Sequence, residues 1–389
     1  MNIYCEMNSR KIINVLIPDG ESILAMSVIR CLSDVEFVHI HLVSSKKWVE
    51  SRFSNKISTF SHHNCADSEV QFIDFLKNVV LENDIHVVLP ILLPAIRLLS
   101  KFKKDFEPFN VNIIAADEKQ LDLANNKGHL SDLLFLHKIP HPETFYLSNL
   151  GSHKILEYPL LLKPKTGWNG NKIYVIKEEN DFLNITSTIN DKDNYLVQNY
   201  ISGYDIDMSI ICLNGDILSH TIQKGYVNSS KSFAPPMAIE FLDNDEIYRI
   251  VQKLMKLLNW NGVAHIDLRY DEIKNEFVVI EINPRFWGSV NASAKVGVNF
   301  PYLYCLTSMG ENFTSPSCKH KRYANNRGLL KIICSKLLIF KAYNFPHKTN
   351  LMDDILDPLP KLFKYFNKGV SKFSLKGRDV GLVLHKPSG

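Results

Sequence analysis

Glu281-Ile282-Asn283-Pro284-Arg285-Phe286-Trp287-Gly288-Ser289 follows directly on an apolar run, residues 277–280, and decides how the chain is read. In a strand, side chains two apart share a face, so Glu281 and Asn283 point the same way. Residues 263–270 and 276–283 read as a long strand pair, and the first of them carries Asp267, which can join the other two across the hairpin. Two carboxylates and one carboxamide oxygen form a hard, oxygen-only donor set. Such a set suits Mg²⁺, which binds a few carboxylates and keeps positions open for phosphate oxygens. Arg285 continues the alternation and adds a bidentate anion donor on that face. The bland alternative is a solvated surface strand. The apolar run argues against it, because an acid buried there needs a cation or a partner.

Two stretches upstream carry further polar groups. Leu160-Leu161-Leu162-Lys163-Pro164-Lys165 leads into Thr166-Gly167-Trp168-Asn169-Gly170. A lysine at the end of a strand before a glycine-bearing hairpin can hold phosphate while backbone N–H groups close over it. Lys163 is equally compatible with a solvated edge strand, and the stretch is neither a P-loop nor a dinucleotide fingerprint. Val197-Gln198-Asn199-Tyr200-Ile201 leads to Gly203-Tyr204-Asp205-Ile206-Asp207. Asp205 and Asp207 share a strand face, which a polar exposed surface would explain by itself.

Around these stretches the chain changes character. In the first third, apolar runs at 12–18, 36–43, 86–92 and 112–115 read as buried parallel strands. Helices fall at 21–33 and on the stripe Val70, Ile73, Leu76, Val79, Val80. Strand–helix alternation implies right-handed crossovers and an open parallel sheet. A helix at 126–137 ends at Ile139-Pro140 and His141-Pro142. Beyond it the strands come in hairpins: 158–165 with 172–176, and 206–213 with 216–223 across Asn214-Gly215, a strong two-residue turn. With 195–199 and a helix at 246–258, this is an α+β pattern with antiparallel sheets. The expected division is 1–122, 123–312 (lobes about 123–195 and 196–312) and 313–389.

Composition removes several classes. The chain has 389 residues and a formal charge of +4, too small to argue for nucleic acid. Residues 311–389 carry fifteen lysines and arginines against five acids, so the basic character belongs to the tail. A basic amphipathic segment at 331–340 could lie on a membrane surface, although docking on the protein with its lysines in water is the commoner arrangement. The seven cysteines are widely spaced without a C-x-x-C pair, a pattern of reducing compartments. Glu6, Arg10 and Lys11 interrupt any N-terminal leader, and residues 86–99 are too short and too broken to span a bilayer. The expectation is a cytoplasmic protein.

Taken in order, the motifs over residues 11–310 resemble the ATP-grasp superfamily. Asn126-Lys127-Gly128 and the Ile139–Thr144 stretch look like its entry helix, whose lysine contacts nucleotide phosphate. Lys163, Gly167 and Gly170 look like its second lysine and phosphate loop. Gln198, Asn199, Tyr200 and Ile201 look like the hinge that takes adenine on backbone groups, with Gln198 near the amino group. Asp205 stands where the family usually places a ribose-binding glutamate. Asp267, Glu281 and Asn283 match its magnesium ligands, and Arg285 the arginine beside the transferred phosphate. The run from Glu281 to Ser289, followed by Ala294-Lys295-Val296-Gly297-Val298-Asn299-Phe300-Pro301, is similar to bacterial carboxylate–amine ligases described as carbamoyl-phosphate-synthase-like.

The resemblance implies an N-terminal parallel-sheet pre-ATP-grasp domain, a two-lobed ATP-grasp domain with antiparallel sheets, and a C-terminal extension. It implies ATP and Mg²⁺ (with Mn²⁺ as a substitute) and ligation of a small-molecule carboxylate to an amine through an acylphosphate, with Arg285 and Lys163 catalytic. A homodimer would be usual. The alternatives are a phosphotransferase that stops after moving phosphate and a nucleotide-binding protein without catalysis. Substrate choice is expected from residues 224–237 and the first domain. Lys224, and Arg269 on the face of Asp267, are the candidates to meet substrate, a mobile loop and a structural ion pair being the competing explanations.

Overall fold

A computed structural model describes residues 11–64, 68–150, 157–167, 172–229, 234–318, 321–338 and 345–367. The first sheet is parallel, in the order β3 (Thr59–His62), β2 (Val38–Ser44), β1 (Ile13–Ile17), β4 (Val87–Val88). Helices α1 (Ala25–Ser33), α2 (Glu69–Glu82) and α3 (Leu93–Lys101) accompany it. Ile13, Val15, Ile17, Val38, Ile40 and Leu42 are buried, as expected where crossover helices cover a parallel sheet. Two expected strands shrink: only Val87–Val88 of the run 86–92 joins the ladder, and residues 112–115 form none. Ile113, Ile114 and Ala115 are nevertheless buried, because the apolar run packs between elements without pairing.

The second sheet is built from β5 (Thr144–Tyr146), β8 (Tyr195–Asn199), β6 (Leu160–Pro164) and β7 (Tyr174–Ile176), in that order and all antiparallel. Helices α4 (Glu118–Asn125) and α5 (Lys127–Leu136) lead into it, and α6 (Glu179–Ser187) lies between β7 and β8. The Asn126 side chain caps α5 by accepting from the Gly128 and His129 amides, which fixes Lys127 at the first turn.

The third sheet has seven strands in the order β13-β12-β9-β10-β11-β14-β15. These are β9 (Gly203–Leu213), β10 (Asp216–Val227), β11 (Ala238–Leu242), β12 (Gly262–Asp271), β13 (Glu276–Asn283), β14 (Arg322–Ala324) and β15 (Lys348–Thr349). The β9–β10 turn has φ of 51° at Asn214 and 77° at Gly215, the left-handed pair that Asn-Gly tolerates. Helix α7 (Asp245–Leu258) lays Ile247, Val251, Leu254 and Met255 against the core. After β13 come α8 (Val290–Lys295) and α9 (Phe300–Ser308).

Residues beyond 313 add β14 and β15 to this sheet, together with α10 (Asn326–Leu338), α11 (Leu351–Leu356) and α12 (residues 359–367). Helix α10 covers most of the basic amphipathic segment. It is docked, with Ile332 buried and the Lys331 ammonium donating to the Asn228 carbonyl at 3.0 Å. No helix among the described residues is long and apolar enough to cross a membrane.

The first sheet also reaches the signature stretch. The buried Asp19 carboxylate accepts from the Ile91 and Leu92 amides, and the Ile91 carbonyl accepts from the Phe286 amide at 3.2 Å.

Candidate active site

Strand register assembles the acids. Asp267 on β12 lies opposite Glu281 on β13 and opposite Asp207 on β9, and Asp207 lies opposite Gln223 on β10. Three carboxylates and an amide therefore form one row across four neighbouring strands. Two residues earlier on β12, His265 lies opposite Asn283 and Ser209 and adds a second row on the same face. The β12–β13 pairing shifts just beyond Asp267, leaving Ile280 as the extra residue of a bulge beside Glu281.

The side chains of Asp267, Glu281, Asn283 and Arg285 come together as the alternation predicts. The Asn283 amide donates to Asp267 Oδ2 (3.2 Å) and to Glu281 Oε1 (3.3 Å), and Asn283 Oδ1 accepts from Arg285 Nη2 (3.0 Å). Arg285 Nη1 also donates to the Phe286 carbonyl at 2.8 Å. Lys127, brought in by the α5 cap, pairs with Glu281 Oε2 at 2.9 Å and donates to the Gly167 carbonyl at 3.1 Å. Its backbone amide donates to the Lys165 carbonyl at 2.9 Å, so α5 is tied to the loop after β6.

Lys163 is buried at the end of β6. Its ammonium donates to Gln198 Oε1 at 2.7 Å, and the Gln198 amide donates to Thr144 Oγ1 at 2.8 Å. Burial pushes Lys163 down to about 8, against the pull of Glu281. The Gln198 side chain, expected near an adenine amino group, holds Lys163 in place.

The electrostatics crowd three carboxyls together, of which only Glu281 is paired with an ammonium among the described residues. Burial works to raise Glu281, but Lys127 and then Lys163 outweigh it and hold the carboxyl at about 2. Asp267 is pushed up by burial and then by the charges of Glu281 and Asp207. Burial pushes Asp207 up to about 7, although it accepts weakly from Gln223 at 3.4 Å. His265 is held neutral, pushed down to about 3 by burial and then by Arg285. Its Nδ1 meets Ser209 Oγ at 2.9 Å, its ring stacks on Trp287 at 5.4 Å, and its Nε2 faces Asp267 (3.4 Å) and Asp207 (3.8 Å). Asp207, His265 and Asp267 have one ligand atom each within 4.8 Å of one another, close enough to share a cation.

Asp267 and Asp207 are strained by desolvation and mutual repulsion, and the nearest ammonium is committed to Glu281. A half-turn of the Asn283 amide, exchanging Oδ1 and Nδ2, would add a third oxygen beside Asp267 and Glu281. The donor set is that of a hard cation.

The hinge residues are held by one arginine. Arg269 Nε donates to the Ile201 carbonyl and Nη2 to the Gly203 carbonyl, both at 2.7 Å, while Nη1 pairs with Asp205. Its guanidinium also lies 5.6 Å from the Tyr200 ring. All three nitrogens are engaged, which is the structural ion pair that competes with a substrate role for Arg269, and Asp205 is tied to it. Gly203 has φ of 143°, and a Cβ there would lie 2.0 Å from the Tyr270 carbonyl oxygen, so only glycine lets the hinge pass this close to β12. The Asn199 and Tyr200 amides donate to the Glu143 and Pro159 carbonyls at 3.0 and 3.2 Å. Lys224 rests on the Tyr204 ring, 3.1 Å from its centroid. Gly170 lies outside the described residues.

Asp207, His265, Gln223 and Ser289 were not singled out by the sequence as members of this site. Ser289 exchanges hydrogen bonds with the Gln223 amide at 2.9 and 3.0 Å. The spacing of His265 and Asp267, two apart on one strand, was the available signal. The pairing of β9 with β12, which brings in Asp207, had none.

Residues 124–289 match the family described as ATP-grasp domain. The chain is 23% identical over 240 residues to a carbamoyl-phosphate synthase of Methanobrevibacter smithii, covering 58% of this chain and 65% of that protein. It also matches a carbamoyl phosphate synthase large chain of Clostridium perfringens at 23% identity, covering 64% of this chain and 24% of that protein. The chain thus spans less than two thirds of these relatives. Among solved structures it superposes on an L-amino acid ligase from Bacillus licheniformis, with a TM-score of 0.54 and 17% identity over 78% of this chain and 75% of that one. An N5-carboxyaminoimidazole synthetase from Staphylococcus aureus, complexed with ADP, gives 0.59 and 12% over 79% and 82%. The biotin carboxylase domain of a Hydrogenobacter thermophilus 2-oxoglutarate carboxylase, with MgADP and bicarbonate, gives 0.59 and 14% over 79% and 72%. Residues 124–289 thus match an ATP-grasp domain, and the chain's similarities run to carbamoyl-phosphate synthases in sequence and to ligases and carboxylases in fold.

Proposed function

We propose that the protein is an ATP- and Mg²⁺-dependent carboxylate–amine ligase. The observation that carries this reading is the carboxylate row Glu281–Asp267–Asp207, flanked by Lys127, the buried Lys163 and Arg285. Mg²⁺ on Asp267, Glu281 and Asn283 would neutralise nucleotide phosphate oxygens and so ease attack by an anionic carboxylate.

The chain's own residues do the rest. Lys163, desolvated and facing an amide rather than a carboxylate, is suited to receive a phosphate oxygen, whose charge would restore its full protonation. Lys127 bridges Glu281 and the Gly167 carbonyl, and so couples the acids to the segment that follows β6. Residues 199–201, clamped by Arg269, offer a fixed edge for the base. In the first step a substrate carboxylate oxygen bonds to the γ-phosphorus and ADP leaves. In the second an amine nitrogen bonds to the acyl carbon, the bond from that carbon to the bridging oxygen breaks, phosphate leaves with that former carboxylate oxygen, and the nitrogen loses a proton. Arg285, held by Asn283 Oδ1 and the Phe286 carbonyl, would steady the acylphosphate and the oxyanion formed on attack.

The test is release of ADP and phosphate from Mg-ATP across a panel of carboxylic acids, each with and without amines. A ligase requires both partners and gives a product mass equal to their sum less water. ADP release with acid alone and a stable phosphorylated product would make the protein a phosphotransferase instead.

A further inference from the structure

The helices that end the described chain are docked inside out. Asp353, Asp354 and Asp357 of the α11 region face the protein. Asp354 pairs with Arg30 (2.8 Å) and Lys361 (2.9 Å), and Asp353 pairs with Lys295 (2.8 Å). Asp357 is 2% exposed and accepts from Ser54 Oγ at 2.5 Å and the Asn55 amide at 3.1 Å. The charged face is thus fully used for attachment, and the apolar face is turned outward. Met352, Ile355, Leu356, Leu359, Leu362 and Phe366 are each between 55% and 69% exposed.

Trp48 extends the surface. It is 61% exposed and stacks on Phe53 (6.2 Å), which in turn meets Phe363 of α12 (4.4 Å). Together these side chains present on the order of 800 Å² of apolar surface, beyond the few hundred typical of a monomer's largest patch. The rim is basic. Lys46, Lys47 and Lys56 are exposed and have no ion pair among the described residues, and Asn55, beside Lys56, donates to the Leu356 carbonyl. The nearby acids are already paired, Asp353, Asp354 and Asp357 inward and Glu50 with Lys364 of α12 at 3.0 Å.

We infer that the α11–α12 face with Trp48 is a docking surface for an anionic phospholipid bilayer. The charge argues for the occupant: exposed lysines without an ion pair among the described residues, beside an apolar face, complement a surface of acidic headgroups. An indole and a phenyl ring beside exposed leucines and lysines is the composition of an interfacial element rather than a spanning one. The inference stands apart from the ligase proposal, since none of these residues belongs to the candidate active site.

The test uses the full chain with vesicles of phosphatidylcholine, alone or mixed with phosphatidylglycerol, followed by flotation and by Trp emission. Binding at least tenfold tighter to the anionic vesicles is expected, weakening with salt, with a blue shift that disappears in Trp48→Phe. Lys46→Glu/Lys47→Glu should weaken binding at least tenfold, since each lysine near such a surface is worth about fivefold. Ile355→Asp/Leu359→Asp, at exposed positions, should weaken it as much. No preference for anionic vesicles, or unchanged binding by the apolar variant, overturns the inference. A wild-type dimer that Ile355→Asp/Leu359→Asp converts to monomer, without vesicle binding, assigns the face to a second copy instead.

Discussion

Replacing Arg269 by lysine separates two roles for this residue. Its side chain is 21% exposed and serves three acceptors: the Ile201 carbonyl, the Gly203 carbonyl and Asp205. A lysine ammonium is a point donor on a flexible stem and cannot reproduce the planar fork, so at least two of these bonds are lost. The exposed pair with Asp205 contributes little. The two carbonyl bonds matter more, because Ile201 is only 8% exposed and its oxygen is left without its partner. At about 1–1.5 kcal/mol each, their loss should cost about 2–3 kcal/mol of folding stability. Urea denaturation followed by circular dichroism reads this directly. A fluorescent ATP analogue should also bind several-fold more weakly, because residues 199–201 are no longer held, while the KM for the carboxylate substrate stays near its original value. Unchanged stability together with a raised carboxylate KM alone would refute the reasoning and return Arg269 to substrate binding.

Other expectations follow from the carboxylate row and its lysines. Glu281→Gln should abolish turnover and weaken Mg²⁺ binding at least a hundredfold with the fold intact by circular dichroism; a folded variant with normal turnover removes Glu281 from the cation site. Lys163→Ala should raise the ATP KM at least tenfold. Because burial lowers Lys163 to about 8, its ammonium is lost above that pH, so wild-type nucleotide affinity should fall as pH rises from about 8, while Lys163→Arg should stay flat. Asp207, raised to about 7, binds a proton in the folded chain that the unfolded chain releases near pH 4, so its contribution to stability falls as pH rises through about 7. Asp207→Asn should therefore melt higher than wild type without metal at pH 8, yet bind Mn²⁺ at least tenfold more weakly by calorimetry.

Much of the site was legible because local rules specify it. Period-two alternation placed Glu281 with Asn283 and one hairpin brought them to Asp267, whereas Lys127 entered through the family resemblance alone and the Asn126 cap that sets it at the start of α5 is seen only in the structure. What escaped depends on a single pairing between strands far apart in the chain. β12 does not join β10 or β11, which precede it, but returns across α7 to pair with β9 over ten residues, and that choice leaves no mark in a 3.6- or 2-residue period. In this register Asp267 stands opposite Asp207, and Arg269 stands opposite Asp205. The first contact turns Asp207 from a surface acid into a member of the carboxylate row. The second turns Arg269, which alternation had placed beside Asp267, into the clamp of the hinge. These contacts are two residues apart on the same strand pair, so a one-residue slip would carry both off this face together. The hinge clamp and the acid row are therefore fixed by one register, which couples the position of the proposed base edge to that of the proposed cation site.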